Sequence, residues 1–136
     1  MRPVKARMFS LKPVEGADSC PSVVGSDGHL CPRVIEPGAD INAVHIERVT
    51  DLLSDARAFS NAAPKCFEPQ HALVFYNDKG VPVGWSLVSL SCASLTAAPR
   101  LAGVQQHDGK YNVSGPALSY LKGLCKTLKL DACGTR

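Results

Sequence analysis

Six cysteines and four histidines are the residues of this chain whose chemistry goes beyond packing. The cysteines stand at positions 20, 31, 66, 92, 125 and 133, with no C-x-x-C pair among them. An even count spread over 136 residues is the pattern of a disulfide-stapled exported protein. Local geometry suggests three bridges. Cys20 and Cys31 bracket PSVVGSDGHL, whose SDG is a turn signal. Cys66 and Cys92 flank a strand-rich stretch around Asn77-Asp78-Lys79-Gly80. With 78–80 as a three-residue hairpin loop, Asn77 faces Val81 and opposed positions sum to 158, as Cys66 and Cys92 do. Directly opposed Cα atoms lie about 4.5–5.5 Å apart, inside the range a disulfide accepts. A one-residue slip, or a break at Pro69, removes that argument. Cys125 and Cys133, eight apart, would fold the tail LDACGTR back onto the last helix.

The same residues support two other chemistries. A zinc-binding domain would use Cys66, His71 and Cys92, with His29 and Cys31 adding ligand types. Zinc prefers four nitrogen or sulfur ligands, commonly in tight C-x2-C pairs, and none occurs here. A Cys/His hydrolase needs a thiolate held against a base, and Cys66 with His71 is the only pair close in sequence. His45 falls near a helix start and reads as a partly exposed N3 residue, and His107, beside Asp108 in the polar run QQHDGK, reads as solvated. No G-x-S-x-G, H-E-x-x-H or phosphate-binding glycine loop is present. The favoured reading therefore assigns no catalytic residue, no metal and no cofactor.

Elements must place these side chains. Asn42 is a good helix N-cap, and Ile41 is set to staple onto Ile46. Ile46, Val49, Leu53 and Ala56 then form one stripe, widened by Leu52 and Phe59, which predicts a helix over 43–60. His71–Tyr76 and Val81–Cys92 predict a hairpin, with Val83, Trp85 and Leu87 on one face and Val88, Leu90 and Cys92 on the other. Apolar residues on both faces imply a strand covered on each side. Residues 93–115 read as a long connection with a short strand near 100–104. Ser114-Gly115-Pro116 opens a second helix over 116–129, with Leu118, Leu121, Cys125 and Leu128 inward and Leu124 widening the stripe. The breaker-rich first 40 residues suggest short extended pieces at 6–11 and 30–35, and this N-terminal part is expected to add an edge strand and a cysteine-bridged loop.

Composition bounds the rest. A net charge of +3, without a basic cluster, excludes nucleic acid as the expected partner. No run approaches the roughly 18–20 apolar residues that cross a bilayer. MRPVKARMFSLKPVEG has no apolar h-region, so an exported form implies a removed signal segment, with Met1 an added start.

The stretch Cys66-Phe67-Glu68-Pro69-Gln70-His71, the hairpin after it and Cys92 resemble a group of small exported bacterial proteins, often lipoproteins. That group shows C-[FY]-x-P-x-H, a hairpin and a closing cysteine, with a helix before and a C-terminal helix and late cysteine after. The likeness covers about residues 40–133 and implies export, with a lipid anchor possible on the removed segment. It implies no activity. Those relatives often carry C-x-x-C at the second strand's end, whereas Cys92 is followed by Ala93-Ser94-Leu95, so no metal or redox role transfers.

The sequence thus predicts one α+β domain: a small antiparallel sheet centred on the 71–92 hairpin, packed by two helices and stapled by disulfides. The expected function is non-enzymatic binding of a protein partner in the periplasm or outside the cell. A toxin-immunity or enzyme-inhibitor role is its specific form.

Overall fold

A computed structural model describes residues 3–13 and 20–134. The expected added start at Met1 lies outside the described residues. The chain forms β1 (Lys5–Ser10), β2 (Ala39–Asp40), α1 (Ala43–Leu53), β3 (Phe59–Ser60), β4 (His71–Tyr76), β5 (Pro82–Ser89), β6 (Ser94–Leu95), β7 (Tyr111–Val113) and α2 (Gly115–Thr127). The strands make one antiparallel sheet in the order β2-β1-β4-β5-β6-β7-β3. This is the expected α+β architecture.

Both helix starts follow from their caps. Asn42 Oδ1 accepts from the His45 amide at 2.9 Å, and the Ser114 side chain accepts from that of Ala117. The first helix ends earlier than the expected residue 60. Asp55 takes extended backbone angles, and its carboxylate accepts from the Arg57 amide, starting a separate 3-10 turn over Ala56–Ala58. A short acceptor side chain that bonds nearby amides competes with helix continuation. Phe59 then emerges extended and pairs with Val113.

The hairpin turn is built by Asn77, whose Oδ1 accepts from the amides of Lys79 and Val81. Gly80 supplies the positive φ of +75° that the turn requires. The register does not stay where the turn sets it. Tyr76 faces Pro82 but Phe75 faces Gly84, so Val83 is an extra residue in a bulge and every pair beyond is shifted by one. Val83 consequently joins the helix-side core, while Trp85 and Leu87 stay on the opposite face.

Both faces of the sheet are covered, as expected. On one, Ala6, Met8, Leu73, Phe75 and Val88 pack against Ile46 and Val49 of α1 and Leu121 and Leu124 of α2. On the other, Phe9, Ala72, Val74 and Leu87 are covered by Cys20, Val23 and Val34. That covering loop is pinned by Arg33, whose Nε donates to the Lys12 carbonyl at 2.9 Å and whose Nη2 donates to that of Pro69.

The edge strand expected from the first 40 residues is β2, which pairs with β1 through Arg7↔Asp40 and Met8↔Ala39 and is reinforced by an Arg7–Asp40 ion pair. Two other expected strands differ. The 30–35 piece makes only isolated bridges, Leu30 to Val24 and Val34 to Leu11. Residues 100–104 form no strand; 94–95 and 111–113 do, because Ser94 pairs with both Ser89 and Asn112.

Candidate functional site

All six cysteines are paired as the spacing suggested: Cys20–Cys31, Cys66–Cys92 and Cys125–Cys133, with Cα separations of 5.9, 5.3 and 5.6 Å. The Cys66–Cys92 bridge forms for a different reason from the one the register offered. The bulge breaks the 158 register, and β4 starts only at His71, after Pro69. Both cysteines lie beyond the strand ends. Their approach is set by the loops, where Ser94 Oγ donates to the Cys66 carbonyl and the Glu68 amide donates to Ser89 Oγ.

The proposed ligand set Cys66, His71 and Cys92 is divided. Cys66 and Cys92 share a bond at one end of the hairpin, with Glu68 beside them. His71 is the first residue of β4 and points, with Leu73 and Phe75, into the helix-side core. There it meets α2's disulfide instead: Nε2 lies 2.7 Å from the Asp131 carbonyl and 3.4 Å from Cys125 Sγ. A carbonyl only accepts, so Nε2 carries the ring proton. Nδ1 is buried and meets no hydrogen-bond partner among the described residues. Burial pushes the His71 pKa below its ordinary value, against the opposing pull of Asp131. The Cys66–His71 nucleophile–base pair is likewise not assembled, because Cys66 sulfur is bonded to Cys92.

The other histidines hold structure. His45 Nδ1 lies 2.7 Å from the Tyr120 hydroxyl, linking α1 to α2. His107, expected to be solvated, bonds through Nε2 to the Asn61 carbonyl at 2.7 Å. His29 pairs with Asp27 at the tip of the 20–31 loop.

Two concavities lie elsewhere among the described residues. A cleft of about 450 Å³ opens between α1 (Thr50, Leu53), the wide end of the hairpin (Phe75, Val83) and the 97–102 segment. Its size falls in the usual range for ligand sites. Gly84 is part of its lining, and a Cβ there would approach the Ala98 carbonyl oxygen to 3.1 Å. The 97–102 segment is held by reciprocal backbone bonds between Trp85 and Ala98 of 2.8 and 2.9 Å. A second depression shares Thr50 with the cleft and runs along α1 past Ala43 and Glu47 to Val4. Val4, one of its lining residues, is 61% exposed. Sequence reasoning missed the cleft. The one available signal was Gly84 inside an otherwise bulky strand, which marks a close backbone approach.

No family model matches this chain, and neither the curated proteins nor the solved structures compared with it include a match. Among the described residues no helix is long and apolar enough to cross a membrane.

Proposed function

We propose that this protein is a non-enzymatic binding domain of the periplasm or extracellular space, and that a protein partner docks over the cleft beside α1. The observation that carries the reading is the cleft beside α1 with its extension past Val4, a lining residue that faces solvent. Exposed apolar side chains in such a concavity mark interaction sites. Three disulfides support an oxidising compartment, since such bonds are rare where thiols are kept reduced. A sheet covered on both faces and stapled at three places changes little on binding, which lowers the ordering cost of association. Toxin immunity or enzyme inhibition is the specific role we favour, by analogy with the jobs small rigid exported domains perform.

The test is capture and cross-linking from the extracellular and periplasmic fractions of the source organism. Ala102→Arg and Arg100→Glu change exposed residues of the cleft without touching the core. Lys126→Glu, on the outer side of α2, is the control. The cleft variants should lose the captured partner while retaining wild-type melting. Equal capture by the cleft variants and the control would overturn the assignment.

A further inference from the structure

We propose that the reduced chain carries a metal site for zinc or a similar thiolate-seeking divalent ion, built from His71, Cys125 and Cys133, which the Cys125–Cys133 disulfide holds closed. This set differs from the one the sequence suggested, and it is independent of the docking cleft.

Geometry carries the proposal. The three ligand atoms lie within 4.8 Å of one another, and all three residues are buried. The 3.4 Å from His71 Nε2 to Cys125 Sγ is close to the edge of a tetrahedral site. Zn–S bonds of about 2.3 Å and Zn–N bonds of about 2.0–2.1 Å put sulfur and nitrogen about 3.5 Å apart. The Asp131 carbonyl oxygen, which accepts the Nε2 hydrogen bond at 2.7 Å and lies 3.9 Å from each sulfur, is near enough to serve as a fourth donor once that proton is lost. The elements converge because His71 opens β4 on the face that α2 covers, while Lys129 and Ala132, both with positive φ, turn the tail back over it.

His71 is wholly buried, and its ring is held at Nε2 by the Asp131 carbonyl beside the two sulfurs.

The steps balance. A two-electron reductant breaks the S–S bond and two thiols form; a dithiol becomes a disulfide, and a phosphine takes oxygen from water, whose two protons go to the thiols, and becomes the phosphine oxide. The divalent ion then displaces both thiol protons to solvent. The Nε2 proton is lost and Nδ1 takes one up, leaving the Nε2 lone pair for the metal. Two thiolates and a neutral imidazole make the loaded site uncharged, which suits a buried position. The Asp131 carbonyl or a water completes four ligands. Nδ1–H would lack the outer acceptor that metal-bound histidines usually have, which sets the affinity about 10–100-fold below that of a fully supported site.

The experiment uses the full chain, reduced with a phosphine and freed of metal, titrated with zinc against a chromophoric chelator. Cobalt is used in parallel for its sulfur-to-metal absorption. Expected is one zinc per reduced chain, under a tenth of an equivalent for the oxidised chain, and cobalt bands showing thiolate ligation. His71→Asn and Cys133→Ser should each weaken binding at least tenfold, while Cys20→Ser/Cys31→Ser leaves it within twofold. Circular dichroism checks that each variant is folded; Cys133→Ser, close to the chain end, keeps the test decisive where His71→Asn does not fold. No zinc on the reduced chain, or zinc held equally by Cys133→Ser, would overturn the proposal.

Discussion

Replacing Cys66 and Cys92 together by alanine separates two ways a disulfide can stabilise this fold. Cys66 is exposed and Cys92 only 9% exposed, so the bridge lies near the surface and its removal leaves little cavity. The effect must come mainly from the unfolded chain, which loses freedom when residues 26 apart are tied. The loop-entropy relation gives about 3.5 kcal/mol at 25 °C. Unfolding entropy of about 2.1 cal/mol/K per residue over 136 residues converts that into a Tm about 12 °C lower. Urea unfolding with calorimetry reads both numbers, and the m-value should rise because the untied chain exposes more surface. The Cys125–Cys133 bridge spans only 8 residues, worth about 2.6 kcal/mol by the same relation. Its sulfurs are buried against His71, so a cavity cost of roughly 1–2 kcal/mol adds to the loop term. C125A/C133A should therefore cost as much as C66A/C92A or more, despite its shorter loop. A C66A/C92A loss below about 1 kcal/mol with an unchanged m-value would refute the entropic account.

Two further outcomes follow from the same packing. His71 is kept neutral by burial, so its native pKa lies below the roughly 6.5 of the unfolded chain. Its contribution is present above the unfolded value and is lost as pH falls below about 6.5 toward the depressed native value. Stability should thus decline as pH falls through that window; an equal decline in a folded His71→Gln variant would assign it to other groups. Gly38 has φ of +71°, and a Cβ there would sit 2.5 Å from Phe9 Cδ1 and 2.7 Å from the Met8 carbonyl oxygen. Gly38→Ala should cost over 2 kcal/mol, against about 1 kcal/mol for Gly80→Ala, where φ is +75° and nothing lies within 4 Å. Denaturant midpoints of the two variants decide this, and similar losses would show that the contact with β1 carries no weight.

Local signals were legible in the residue string. Asn42 and Ser114 mark both helix starts because a cap needs only its own side chain and amides three residues on. Asn77 and Gly80 mark the hairpin turn for the same reason. The three cysteine pairs are readable because each joins neighbours in the chain or the two ends of one hairpin. What tertiary structure decided is which groups meet across elements. The Val83 bulge shifted the hairpin register by one and turned Val83 onto the helix-side core, a change that no turn residue announces. His71 stands five residues from Cys66 yet meets Cys125, 54 positions away, because strand alternation turns it onto the face that α2 covers. The cleft belongs to the same class of fact. Its walls come from α1, the hairpin and the 97–102 segment, whose proximity exists only once the sheet and its covering elements have packed.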